Sequence, residues 1–261
     1  MSIKPQFEES AGAAAQAARS APSSEAPAPD PNPATLSPSF ASLFPPGVVA
    51  AELRGPGAAS LLLPAEALAV ASAVPKRVQE FAAGRLCARR ALAELGIRDF
   101  ALRMASDRRP IWPETVVGCI THTKGICAAV IAPRLRFLSL GLDTEIAGAV
   151  KADLWGSICG PEELAWISSL EPTSRAAAAT LVFSAKEAFY KFQYPIARES
   201  LSFSDLQVIP REWGVACGSF AVAPTRPLRL FAEPPREAAL PLVGSYRFHE
   251  EFVSAGLCLL A

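Results

Sequence analysis

From Lys76 to Leu95 the apolar residues Val78, Phe81, Leu86, Leu92 and Leu95 recur at loosely helical spacing, between Pro75 at the start and Gly96 at the end. Proline suits the first turn of a helix and glycine the residue after its last turn, so the stretch predicts a helix. The next apolar runs are short and punctuated by turn residues: IWPETVVGCITH, GICAAVIAP and LRFLSLGLDTE. Runs of this length predict strands. PEELAWISSL, Pro161 to Leu170, places Pro and two acids in a first turn and predicts a short helix. A longer helix is expected from about Ser174 to Phe192. From Leu201 onward the chain returns to strand-like runs, VACGSFAVAP, LPLVGSYRF and SAGLCLLA. Helix, strands, helices and strands in that order indicate an α/β chain of the α+β kind, with a faint suggestion of two related halves.

The pattern is absent at the N-terminus. Up to about residue 40 the text is dominated by Ala, Pro and Ser, as in SAPSSEAPAPDPNPATLSP. Such a segment has few large apolar groups to bury, and a disordered tail is expected there, with folded chain beginning near Phe40.

Composition narrows the class. Hydrophobic residues make up 51% of the 261 positions, enough for a substantial core. Lys plus Arg and Asp plus Glu are both 25, so no excess of either sign argues for a nucleic-acid or membrane-surface partner. An anion site must therefore come from a local cluster. The six cysteines, at 87, 119, 127, 159, 217 and 258, form no close CxxC pair, and only His122 and His249 could join them on zinc. They read as small buried hydrophobes in a reducing compartment. No secretory h-region is visible, and the most apolar stretch, Ala58 to Val74, is broken by Pro64 and Glu66. A cytoplasmic location is expected.

Candidate chemistry begins at Leu140-Gly141-Leu142-Asp143-Thr144-Glu145. Strand residues two apart share a face, so Asp143 and Glu145 can converge on one cation. Hard carboxylate oxygens suit Mg²⁺. Alone, the pair is an ordinary solvated strand end. A third partner lies in LVFSAKEAFYKF, where Leu181, Ala185, Ala188 and Phe192 form an apolar stripe and Ser184, Glu187 and Lys191 a polar one. Glu187 and Lys191 at i,i+4 also fit a plain surface ion pair. Basic residues complete the set. Arg77 and Arg85 share one side of the first helix, Arg89 and Arg90 either join them or face solvent, and Arg108 and Arg109 precede Trp112. Arginine suits bidentate phosphate binding. His122 ends an apolar run beside Gly125, a place where a structural histidine is the commoner finding.

Taken together, VPKRVQEFAAGRLCARRAL, DRRPIWPETVVGCITHTKG, LGLDTEI and FSAKEAFYKFQYP resemble the 4′-phosphopantetheinyl transferases, in the branch like enterobactin synthetase component D. The resemblance runs from roughly Phe44 to the C-terminus. It implies two pseudo-symmetric α/β halves with coenzyme A in the cleft between them, and hence a tail over 1–42, a first half over 43–141 and a second over 142–261. It also implies transfer of 4′-phosphopantetheine to a serine of an acyl or peptidyl carrier protein, with release of adenosine 3′,5′-bisphosphate. By position, Asp143, Glu145 and Glu187 would surround Mg²⁺ and Lys191 would stand near the pyrophosphate. Arg77, Arg85, Arg108, Thr121 and His122 would hold the coenzyme A phosphates, Arg108 only if a gap is allowed in its segment. Cys119 stands where the family commonly has Ser, and Leu142 where Ile is frequent.

Mg²⁺ and the basic residues would neutralise the charge that builds on the departing bisphosphate. Glu187, or a water held beside it, is the expected general base, and Lys191 the group that stabilises or protonates the leaving phosphate. The expected partners are coenzyme A and a carrier protein, with no nucleic acid and no membrane, and the protein itself is expected to be a monomer. Two rivals remain: a non-catalytic module that binds coenzyme A or a carrier, and another Mg²⁺ enzyme that cleaves phosphodiesters.

Overall fold

The computed structural model describes residues 34–231 and 242–261. Its first half comprises β1 (Thr35–Leu36), α1 (Pro38–Ala41), β2 (Val49–Arg54), α2 (Pro64–Ala67), α3 (Pro75–Glu94), β3 (Val116–Thr123) and β4 (Ile126–Pro133). The second comprises β5 (Phe137–Ile146), α4 (Trp155–Ile158), α5 (Pro161–Ser169), α6 (Pro172–Ala197), β6 (Leu206–Pro210), β7 (Cys217–Pro224), β8 (Leu242–His249) and β9 (Phe252–Leu260). The strands form two antiparallel sheets, ordered β1-β2-β4-β3 and β5-β9-β8-β7-β6. The expected α/β architecture of two halves, each a sheet with one long helix, is the one observed.

Each sheet owes its place to strand alternation. Along β4, Cys127, Ala129 and Ile131 pack toward α3, while Ala128, Val130 and Ala132 enter a core shared with Phe137, Leu140 and Leu142 of β5. The helix α3 covers its sheet with small residues, among them Ala83, Cys87, Ala88 and Ala91, which explains its loose apolar spacing in the sequence. The second sheet packs against α6, whose residues Leu181, Ala185, Ala188, Phe189 and Phe192 belong to one cluster with Val253, Ala255 and Leu257 of β9.

Three expectations change. Order starts earlier than residue 43: Leu36 pairs with Ala51, and Phe40 is fully buried, because this one aromatic finds a place in the core between the sheets. The rest of the expected tail, residues 1–33, lies outside the described residues. The division between the halves falls in the turn after β4 and not at 141/142, since β5 is one continuous strand paired along its length with β9. The helix expected to end at Phe192 runs on to Ala197, with Pro195 in its last turn and Arg198 closing it in the left-handed conformation. A proline so near the end forfeits only one hydrogen bond, and Tyr194, Ile196 and Ala197 still pack on the core.

Candidate active site at the seam of the two sheets

The edge strands β3 and β5 meet side by side, joined through side chains. Three alternate residues of β3 serve three residues of β5, Leu142, Thr144 and Glu145. Cys119 Sγ accepts from the Leu142 N–H at 3.3 Å, Thr121 Oγ1 accepts from the Thr144 N–H at 3.1 Å, and Thr123 Oγ1 donates to Glu145 Oε2 at 3.0 Å. The period of two places all three on one face of β3, which is why they act as a ladder.

On its other side β5 is held by α6. Ser139 Oγ donates to the Phe192 carbonyl at 2.6 Å. Two residues on, Gly141 lets the Ala188 carbonyl approach so closely that a Cβ would stand 2.1 Å from its oxygen. This contact brings Lys191 onto the strand end: its ammonium donates to Asp143 Oδ1 at 2.7 Å, to the Leu142 carbonyl at 3.1 Å and to Thr121 Oγ1 at 3.4 Å. Thr121 in turn donates to Asp143 Oδ1 at 3.3 Å, so its one proton and two lone pairs are all in use. Burial works against the Lys191 charge, but the carboxylates of Asp143 and Glu187 outweigh it and raise its pKa above the ordinary lysine value. Lys191 is therefore a fixed cation at neutral pH.

Thr121, Asp143, Glu145 and Glu187 are all buried, Glu187 completely. The reading of Glu187 and Lys191 as a surface pair falls with that observation. The set of carboxylates offers oxygen only, and Asp143 Oδ2 is a buried acceptor with no hydrogen-bond partner, features that fit a hard divalent cation. Among the described residues, however, no three His, Cys, Asp or Glu side chains are gathered closely enough to hold a metal ion. Asp143 and Glu145 lie on β5 and Glu187 on α6, with the Lys191 ammonium engaging Asp143 Oδ1.

The expected phosphate ligands divide. Arg77 Nη1 lies 3.4 Å from His122 Nε2 and also 3.4 Å from Glu80, which joins the exposed start of α3 to the end of β3. Arg85 is buried, bonded through Nε to the Leu102 carbonyl at 3.1 Å and stacked 3.7 Å from the Phe81 ring centroid. Burial pulls its pKa down to about 10, so it stays charged at neutral pH, and its Nη2 is a buried donor with no partner. Arg108 occupies an exposed turn with a φ of 67°. Its neighbour Asp107 makes the link to the second half, an ion pair of 2.9 Å with Arg198 after α6. Arg89 and Arg90 do not join the site: the first pairs with the fully buried Glu66, the second with Glu94.

Sequence reasoning missed two buried polar centres. Glu66 accepts from the Leu63 and Leu102 N–H groups, both at 3.0 Å, as well as from Arg89. Lys186, one residue before Glu187, reaches Glu163 at 2.7 Å and the carbonyls of Ile158 and Phe203. The available signal was a charged residue inside an otherwise apolar helix, since a helix buried all round must partner every charge it carries.

Residues 65–132 match the family described as the 4′-phosphopantetheinyl transferase N-terminal domain, and residues 139–234 match the 4′-phosphopantetheinyl transferase superfamily. The chain is 36% identical over 167 residues to the 4′-phosphopantetheinyl transferase Npt of Nocardia iowensis, covering 64% of this chain and 74% of that one. It is 38% identical over 150 residues to the transferase Svp of Streptomyces mobaraensis, with coverage of 57% and 61%. To enterobactin synthase component D of Salmonella typhimurium it is 36% identical over 142 residues, 53% of either chain. The chain belongs to the 4′-phosphopantetheinyl transferase superfamily, a family of enzymes that use coenzyme A to modify carrier proteins.

Proposed function

We propose that this chain transfers 4′-phosphopantetheine from coenzyme A to a serine hydroxyl of an acyl or peptidyl carrier protein and releases adenosine 3′,5′-bisphosphate. The observation that carries the reading is the contact of Lys191 with Asp143 at 2.7 Å, at the seam where the two family-matched halves meet. In the reaction the serine oxygen forms a bond to the β-phosphorus of the coenzyme A pyrophosphate, the bond from that phosphorus to the bridging oxygen breaks, and the serine proton leaves.

Asp143, Glu145 and Glu187 would hold Mg²⁺, which when bound supplies neutralising charge to the phosphate oxygens. The buried Glu187 accepts the serine proton. Lys191, kept protonated by its surroundings, faces the bisphosphate as negative charge grows on it. The unpartnered Nη2 of Arg85, with Arg77, Thr121 and His122, supports a phosphate-binding role for the α3 side of the seam. Arg108 contributes at most from the exposed turn that borders it. The seam is built within one chain, which supports a monomer, and the six free cysteines are in keeping with a cytoplasmic location. No helix among the described residues is long and apolar enough to cross a membrane. One relative is named a component of enterobactin synthase, which makes a siderophore-type peptidyl carrier one candidate acceptor.

The test is intact mass spectrometry of apo carrier proteins incubated with the chain, coenzyme A and Mg²⁺. A gain of one phosphopantetheine, lost in EDTA, is the expected result. No gain across acyl and peptidyl carriers, with coenzyme A still bound, would make the chain a non-catalytic binding module. Release of bisphosphate without any carrier would make it a phosphodiester-cleaving enzyme.

A further inference from the structure

Arg85 is only 7% exposed, and its Nη2 is a buried donor with no partner. An unmade bond of that kind is costly, and native proteins tolerate few of them. The guanidinium is nonetheless held in place. Its Nε donates to the Leu102 carbonyl at 3.1 Å, and its central carbon lies 3.7 Å from the Phe81 ring centroid.

Leu102 is fixed in turn by Glu66. The Leu102 N–H donates to Glu66 Oε1 at 3.0 Å, while Oε2 accepts from the Leu63 N–H at 3.0 Å and from Arg89. Glu66 and Leu102 are both 0% exposed. Arg89, one turn after Arg85 on α3, is also anchored to the Leu61 carbonyl at 2.6 Å. Leu102 therefore bridges two side chains, its N–H bound by the carboxylate and its carbonyl by the guanidinium. Burial opposes the Arg85 charge, the Glu66 carboxylate is the largest influence in its favour, and Arg77 and Arg89 repel it. An ion pair that served packing alone is complete with Arg89. The second buried cation, with a donor left open on the same side of α3 as Arg77, points to an anion.

We propose that Glu66 is a positioning residue of the phosphate site. It holds Leu102 so that Arg85 stays aimed at the anion, and its negative charge offsets the burial of that guanidinium. Phosphate oxygens of coenzyme A then supply the acceptor that Nη2 lacks. The proposal rests on the reading of Arg85 as a coenzyme A phosphate ligand.

The experiment is calorimetric titration of coenzyme A into wild type, Glu66→Gln, Arg85→Met and the variant combining both, with the melting temperature of each. Arg85→Met should bind about tenfold or more weakly, as loss of a charged hydrogen bond does, and Glu66→Gln about three- to tenfold more weakly. The combined variant should bind no more weakly than Arg85→Met, because Glu66 then has nothing left to position. Glu66→Gln also leaves Arg89 without its partner, so Glu66→Gln with Arg89→Met removes that charge and should regain stability. Its coenzyme A affinity should stay as low as that of Glu66→Gln. Wild-type affinity returning together with stability overturns the proposal, since Glu66 would then serve the fold only. Additive losses in the variant combining Glu66→Gln and Arg85→Met overturn it as well. Wild-type affinity in Arg85→Met would instead remove Arg85 from the phosphate site, and with it the reading on which the proposal stands.

Discussion

Lys186 and Glu163 meet at 2.7 Å with both side chains sealed from solvent, one on the central helix α6 and the other in the first turn of α5. Glu163 also accepts from the Gly160 N–H at 2.6 Å and the Val208 N–H at 2.6 Å, so one carboxylate ties helix start, strand β6 and central helix together. Lys186 precedes Glu187 in the chain yet turns to Ile158, Glu163 and Phe203 rather than to the seam. Removing one partner strands a buried charge, which typically costs about 3–5 kcal/mol. Lys186→Met should therefore lower unfolding free energy by that order in urea titration. Adding Glu163→Gln should recover part of the loss; a simple sum of the two single effects would show that the pair is not coupled.

Lys191 has a different duty from Lys186. Truncation to Ala removes a fixed cation from the leaving-group side, and loss of one preorganised electrostatic group commonly lowers kcat by about 10²–10³. Lys191→Ala should show that fall in single-turnover transfer while its circular dichroism stays unchanged. A kcat within twofold of wild type would remove Lys191 from the chemistry.

Glu187→Gln keeps the volume and removes the carboxylate charge. Transfer to a carrier should be abolished and the melting temperature preserved. Near-normal turnover in a mass-spectrometric time course would take the general-base role from Glu187.

Gly141→Ala should act on fold and site at once. The new Cβ would lie 2.1 Å from the Ala188 carbonyl oxygen and 2.6 Å from Phe192 Cβ, and neither backbone nor packed ring can yield cheaply. Overpacking of this kind costs about 1–3 kcal/mol or more. Transfer should fall further than stability alone explains, because Lys191 is carried by the displaced helix. Calorimetry and activity measured on the folded fraction separate the two effects.

A pH dependence should originate at His249. Burial, with Arg54 nearby, lowers its pKa below the ordinary histidine value, while its ring packs edge-on at 5.4 Å from Phe40 and its Nε2 lies 3.0 Å from Ser254 Oγ. A histidine with a depressed folded pKa is held neutral, so the unfolded chain takes up the proton first as pH falls. Its contribution is fully present above pH 6.5 and is lost as the pH drops through the lower folded value. Melting temperature should decline from about pH 6.5 downward, and His249→Gln should flatten that part of the curve. An unchanged profile in the variant would assign the slope elsewhere.

Much of this molecule was decided locally and was therefore legible in the chain. The Pro75 and Gly96 boundaries of α3, the strands through VVGCITH and LGLDTE, and the grouping of Asp143 with Glu145 all follow from periodicity and from the ends that proline and glycine favour. The motifs also carried the family, which residues 65–132 and 139–234 match. Tertiary structure alone decided which strand lies against β5. Cys119, Thr121 and Thr123 are spaced for one face of β3, but that spacing names no partner, and the bonds they make reach residues 22 or 23 positions away. The same holds for Lys191, which a helical pattern allows either to face solvent or to meet Asp143. The bare Cα of Gly141 settles the matter by admitting α6 against the strand, a contact set by two backbones distant in sequence. Long-range packing of that kind leaves no period in the chain, and so nothing in the local pattern marked Glu66, Glu163 and Lys186 as buried.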